Sequence, residues 1–143
     1  MHDDIHETAA IVACLQLTSR FYMALDLADF QSVSGAFLPH GVWHRQGKLL
    51  TGPIEVMAAL SHRPKGRTTA HLVQNAVVEL QGGDSATVRY MTLVYRHDAE
   101  SLPTLPVPLE APLSISMNED GLQRDPDGRW RILSKKSQRH FAT

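Results

Sequence analysis

The 143-residue sequence predicts an α+β domain, with helices in its first half and antiparallel strands in its second. Two observations carry this. From Asp3 to about Asp29, apolar residues recur every three or four positions, at Ile5, Ala9, Val12, Leu15, Thr18, Tyr22 and Leu25, which is the spacing of an amphipathic helix. From Thr68 onward the runs are β-branched and aromatic, interrupted by Gln81-Gly82-Gly83-Asp84 and Asp125-Pro126-Asp127-Gly128, both rich in turn residues. With 43% hydrophobic and 20% charged residues, the chain has the composition of one globular core, so residues 1–143 are read as a single domain.

The length of the first helix suggests a bend or break near Thr18. Asp3 or Asp4 can cap its start, with Glu7 placed to return the bond. A short helical turn then runs through Phe37 and ends before Pro39, because the residue preceding proline avoids helical dihedrals. Gly41 to Arg45 reads as the first strand. Thr51-Gly52-Pro53 opens a second helix with proline at its first position; Ile54, Met57, Ala58 and Leu60 form its apolar face, and Pro64 and Gly66 end it. Thr68–Leu80 and Ser85–Arg96 make a hairpin, and Leu113–Leu122 with Arg129–Phe141 a second. Between them Pro103, Pro106, Pro108 and Pro112 keep Ser101–Pro112 an extended loop, or an edge strand that cannot pair throughout. The expected architecture is a curved sheet packed over helices.

The net charge is -1, from 14 Lys and Arg against 15 Asp and Glu, so no long-range field recruits nucleic acid or an anionic membrane. The cluster Lys135, Lys136, Arg139 and His140 reads as a solvated strand end. Cys14, the single cysteine, permits no intrachain disulfide and sits in an apolar run as a small hydrophobe. No basic segment precedes an apolar run at the start, and no window approaches 18 uncharged apolar residues. A reducing, cytoplasmic setting is expected.

Strand alternation from Thr68 puts His71, Val73, Asn75 and Val77 on one face, and Leu72, Ala76, Val78 and Leu80 on the other. With both faces apolar, His71 is expected under cover and in need of a partner. On the first helix, Tyr22 and Asp26 are four apart on the face of Leu15 and Thr18; Asp26 stands between Leu25 and Leu27, whereas Asp29 reads as a solvated helix-end acid. A buried carboxylate is costly, and a nearby histidine is the usual remedy. Forty-five residues separate the two, so spacing alone leaves a second reading open: a solvent-exposed Asp26, and a His71 bonded to a backbone carbonyl.

The segments Phe21-Tyr22-Met23-Ala24-Leu25-Asp26-Leu27-Ala28-Asp29-Phe30, Val42-Trp43, Gly52-Pro53-Ile54, His71-Leu72-Val73-Gln74-Asn75 and Asp127-Gly128-Arg129-Trp130-Arg131-Ile132, in that order, resemble the SnoaL-like branch of the nuclear-transport-factor-2-like superfamily. The resemblance covers roughly residues 5 to 140 and is most similar to the scytalone dehydratases and hexachlorocyclohexane dehydrochlorinases. It implies a cone-shaped, curved mixed sheet wrapped around the N-terminal helices and enclosing an apolar cavity. It also implies a dyad in which His71 moves a proton while Asp26 orients the imidazole and stabilises its charged form. It implies neither metal nor organic cofactor, and it suggests a small-molecule substrate and a homo-oligomer, dimer or trimer.

Departures from that pattern fall at the helix and the last strand. The dehydrochlorinases carry a lysine where this chain has Phe21, and a cavity arginine where it has Lys135, which keeps the charge without the fork geometry. The dehydratases place a tyrosine where Leu25 stands. A second histidine of theirs corresponds to His97, which a one-residue bulge turns outward; Tyr90, in parity with Ala86 and Val88, is the polar pocket candidate on that strand. Trp43 is expected toward the cavity or in the core, with His44 pointing away from it. Tyr22 is either a donor to a substrate oxygen or a packed tyrosine, and Asn75 either touches ligand or holds backbone. His40 and His44 lie roughly 13 Å apart along a strand, too far to share a metal. The expected function is a cofactor-independent lyase of dehydratase type on a small cyclic or polyketide-like molecule; the alternatives are an isomerase or polyketide cyclase using the same pair, and a ligand-binding domain without catalysis.

Overall fold

A long helix, α1 (Asp4–Asp26), and two short ones, α2 (Phe30–Gly35) and α3 (Gly52–Leu60), pack on the inner face of one six-stranded curved sheet in this computed structural model, which describes residues 4–143. The strands are β1 (Phe37–Arg45), β2 (Lys48–Thr51), β3 (Arg67–Gln81), β4 (Ser85–Asp98), β5 (Ser114–Arg124) and β6 (Trp130–Ala142), in spatial order β2-β1-β6-β5-β4-β3. β1 runs parallel to β6 and every other pair is antiparallel, so the sheet is mixed. The expected α+β class holds. The cap expected at Asp3 lies outside the described residues.

α1 passes through Thr18 without the expected break, and the Thr18 hydroxyl donates to the Cys14 carbonyl at 3.0 Å within the helix. Its buried stripe is Ala10, Cys14, Thr18, Phe21, Tyr22 and Leu25. The expected stripe was out of phase at its start: Ile5 is 80% and Val12 51% exposed. By length and composition α1 is long and apolar enough to cross a bilayer; in this fold its apolar stripe fills the core. Burial pushes the Cys14 thiol up to about 11, as befits an inert core residue.

Past α1, Asp29 caps α2, accepting from the Ser32 amide and hydroxyl, which is a more specific task than a solvated acid. β1 begins at Phe37 and takes in Pro39, earlier than Gly41. Gly41 is required where β1 closes on β6: a Cβ there would stand 2.3 Å from the Ile132 carbonyl oxygen. β2 was not anticipated, although Gln46 and Gly47, with φ of 52° and 77°, make the two-residue hairpin turn that signals it. Ser101–Pro112 forms no strand; its Val107, Pro108 and Leu109 lie against Thr68, Leu72 and His97 on the outer side of β3 and β4. This proline-rich loop therefore packs on the side of the sheet away from the helices.

Two irregularities set which residues face inward. In β3 the register with β4 slips between Gln74 and Val77, and Asn75 adopts φ 57°. Arg67, Thr69, His71 and Val73 point inward before this bulge, and Ala76, Val78 and Leu80 after it. Asn75 and Val77, expected beside His71, are exposed instead, because one extra residue inverts the alternation. In β6 an extra residue at Leu133, between the pairs Gly121↔Ser134 and Leu122↔Ile132, likewise swaps phase. Trp130 and Ile132 face the core, and after the bulge so does Lys135, which strict alternation would have turned outward.

The inward rungs then grade along the cone. Ala86, Leu122 and Ile132 make an apolar end; the next rung holds Val88, Asp120 and Lys135; then come Tyr90 and Asn118, Thr92 and Ser116, and finally His71, Val94 and Ser114 toward the open end. Asn75 tolerates its left-handed backbone better than a β-branched residue can. Asn75→Val should therefore cost about 1–2 kcal/mol in urea unfolding, and Asn75→Gly should be neutral or stabilising.

Candidate active site

Asp26 is the last residue of α1, and its carboxylate turns to β3 for its hydrogen bonds. Oδ2 accepts the His71 backbone N–H at 2.8 Å; Oδ1 accepts the Thr69 hydroxyl at 2.8 Å and the His71 ring at Nδ1, 2.6 Å away. The Thr69 oxygen in turn accepts from Arg63 Nη2 at 2.7 Å, while Arg63 Nη1 donates to the Leu25 carbonyl at 2.8 Å. Burial pushes the Asp26 carboxyl up, but the hydrogen bonds from the His71 ring, the His71 backbone and Thr69 outweigh it and hold the group below its usual value. Since an ionised carboxylate only accepts, Nδ1 carries a proton, and in the neutral ring Nε2 presents its lone pair. His71 lines the cavity, so Nε2 is the ring nitrogen available to a substrate.

The Tyr22 ring lies 5.2 Å from the imidazole, tilted by 30°, and leads to a second buried group. Lys135 and Asp120 form an ion pair at 3.1 Å, with 4% and 2% of their side chains exposed. Lys135 Nζ also donates to the Tyr90 hydroxyl at 2.7 Å, and Tyr90 donates to Asp120 Oδ2 at 2.7 Å. With its own proton committed to Asp120, the Tyr90 oxygen accepts from Tyr22 across 2.9 Å. Burial works against the Lys135 ammonium, but the Asp120 carboxylate and Tyr22, through charge and hydrogen bonds together, outweigh it and hold the group above its usual value. The ammonium stands 4.3 Å from the centre of the Phe21 ring and 4.5 Å from that of Tyr22, so the aromatic ring that replaces the dehydrochlorinases' lysine serves as a cushion for this one.

The cavity has a volume of about 790 Å³. Tyr22, Trp43, His71 and Lys135 line it, as expected from the sequence. Tyr90 faces inward but is buried behind Tyr22 and Lys135 and does not reach the cavity. Tyr22 is the packed tyrosine of the two readings, its proton directed at Tyr90. Asn75 is a correction: it lies on the outer face, its Nδ2 3.5 Å from Met91 Sδ. His97 is turned outward with Tyr95 and lines a shallow depression under the proline-rich loop.

The cavity is also not apolar. Thr69, Thr92, Ser114, Ser116, Asn118 and Ser137 contribute polar walls, because the inward positions of β3 to β6 are polar on the open half of the sheet. Arg45, Arg63, Arg67, Arg96 and Arg139 add five guanidinium groups, and no Asp or Glu among the described residues contributes to the lining. The cluster Lys135 to His140 is thus no solvated strand end throughout: Lys135 and Arg139 line the cavity and Lys136 is exposed. The sequence reading missed Arg63, Asp120, Asn118 and the arginines. Parity with Ser116 would have placed Asn118 and Asp120 inward; Arg63, in a loop, carried no such signal. Among the described residues, no group of three or more His, Cys, Asp and Glu side chains is arranged to hold a metal.

A model of the SnoaL-like domain family matches residues 6–136. No curated protein matches the sequence. Among solved structures, hexachlorocyclohexane dehydrochlorinase LinA-type3 from Novosphingobium barchaimii superposes with a TM-score of 0.78 at 14% identity, covering 99% of this chain and 93% of that one. ActVI-ORFA from Streptomyces coelicolor gives 0.72 at 17% identity over 90% of this chain and 96% of its own. An NTF2-like protein with a cystatin-like fold from Novosphingobium aromaticivorans gives 0.69 at 19% identity, over 90% and 80%. At such identities these likenesses speak for the fold.

Two stability measurements check the buried charges. The Asp26 carboxyl is depressed in the folded state, so its contribution to stability is present above its unfolded value of 3.8 and is lost as pH falls through the lower folded value. The gap in unfolding free energy between the wild type and Asp26→Asn should therefore be widest near neutral pH and shrink below about pH 4. Lys135→Met strands the Asp120 charge and should cost about 3–5 kcal/mol in urea unfolding, with much of the loss recovered when Asp120→Leu is added.

Proposed function

We propose, from the premise that the chain belongs to the family of SnoaL-like domains, that it is a cofactor-independent lyase of dehydratase type acting on a small cyclic or polyketide-like molecule. The observation that carries this reading is the 2.6 Å contact between Asp26 and His71 Nδ1, with the other ring nitrogen directed to a cavity. Nε2 takes a proton from a carbon made acidic by a neighbouring carbonyl or ring. The C–H electron pair becomes the new double bond, and the leaving group departs from the adjacent carbon as halide or, on receiving back the proton that His71 has just taken, as water. Asp26 keeps the imidazole in the reactive tautomer and faces the imidazolium that forms, while the hydrogen bonds from His71 and Thr69 keep the carboxylate ionised. Elimination of halide is what the name of one structural neighbour describes, and this supports the reaction class.

A second reading, an isomerase or polyketide cyclase, is favoured by the Tyr22 hydroxyl. Its proton is directed to Tyr90, so Tyr22 does not itself protonate a leaving group, whereas isomerisation needs only that His71 return the proton it took. A domain that binds ligand without turnover is the third reading, and the cost of holding Asp26 and His71 together under partial burial weighs against it.

Small cyclic alcohols, ketones and halides screened by mass spectrometry separate these readings: elimination loses water or hydrogen halide, isomerisation conserves mass, and a binder returns the compound unchanged. On any substrate so found, His71→Ala should lower turnover about 10²–10⁴-fold with circular dichroism and unfolding midpoint retained. Undiminished turnover in that variant rejects the dyad.

A further inference from the structure

Half of the ten arginines in the sequence line one cavity to which no carboxylate of the described residues contributes, although the chain as a whole is close to neutral. Asp98 at the end of β4 is shared by Arg67 and Arg96, at 2.8 Å from each, and Asp26 is taken up by His71 and Thr69. Among the described residues Arg45 has no acidic partner. Its guanidinium lies 5.3 Å from the centre of the Trp43 ring, and that ring is itself stacked on Phe37 and set edge-on to Phe21. The arginine is thus held in place by a rigid aromatic wall, half-buried, beside Arg67 and Arg63. Burial, and then the Arg67 charge, pull Arg45 below its usual value, which is the mark of a cation lacking a counter-charge.

We propose that the substrate is an organic anion, a carboxylic acid in the simplest case, whose acidic group is gripped by Arg45 at the mouth of the cavity while its body reaches His71. This rests on the catalytic reading above only for the end at which chemistry occurs; the anion site stands on its own geometry. A planar guanidinium recognises a carboxylate through two parallel hydrogen bonds, and no carboxylate of the described residues is paired with that of Arg45. Arg67 and Arg96 supplement the positive field. Along β3, Arg67 is two inward positions from His71, about 13 Å at the usual rise, and arginine side chains span part of that gap.

The test uses the full chain and two matched probes, 2-naphthoate and the neutral 2-naphthamide, in calorimetric titrations at low and high salt. The carboxylate should bind about tenfold or more tightly than the amide, with the preference shrinking as salt is raised. Arg45→Gln should bring the preference close to unity, and Arg45→Lys, which keeps the charge and serves if the glutamine variant does not fold, should retain only part of it. Arg89→Gln, altering an outer-surface arginine paired with Glu79 and Glu119, should leave the preference intact. His71→Ala should also keep it, so loss of turnover and loss of the anion site can be told apart. Equal binding of acid and amide, no saturable binding of the acid, or a preference that survives in both Arg45 variants would overturn the proposal.

Discussion

A carboxylate at the end of a long helix cannot remain under partial burial without donors, and in this protein all of its donors come from a strand more than forty residues away. That requirement docks the end of α1 on β3. Because one Asp26 oxygen takes the backbone of His71 and the other its ring, the imidazole is fixed in position, in rotation and in tautomer by the same contact. Thr69 and Arg63 complete the shell, and Arg63 also grips the Leu25 carbonyl in the last turn of the helix. The element that orients the proposed base is thus the one that closes the helix onto the sheet.

The cavity depends on a second constraint, the grading of the inner sheet face from apolar to polar. Side chains from Ala86, Leu122 and Ile132 close one end as an ordinary core. The Asp120–Lys135 pair marks the change, and its burial is tolerable because Tyr90 and Tyr22 extend it as a hydrogen-bonded chain instead of leaving either charge alone. Past it, threonine, serine, asparagine and arginine line a space into which water or a polar ligand can enter. Such a space suits proton transfer on a molecule that itself carries polar groups, more than it suits a wholly apolar one.

The resemblance was informative where it concerned residues whose contacts follow from the common topology. Asp26 bonds the His71 ring, and Trp43 and Lys135 line the cavity. It misled about the lining, since a cavity of apolar walls was expected and a basic, polar one is found. Asn75 failed for a local reason: a left-handed residue inserts one position into β3, and the alternation that put it beside His71 is reversed. Tyr90 was oriented correctly, yet the depth at which it lies could not be read from parity, which tells the face of a strand and says nothing about what covers it.

By itself the sequence determined what depends on neighbours along the chain. Helix and strand periodicity, the two hairpin turns, the proline-rich interruption and a lone buried cysteine all express local backbone preference and the partition of apolar side chains from water. The tertiary structure decided what depends on register between distant segments. The bulges at Asn75 and Leu133 determine which halves of β3 and β6 face inward, and the pairing of the strands brings arginines from β1, β3, β4 and β6 to one mouth. A one-residue slip costs little locally but exchanges every side chain beyond it between core and surface, so these choices are made only when the whole sheet packs against its helices.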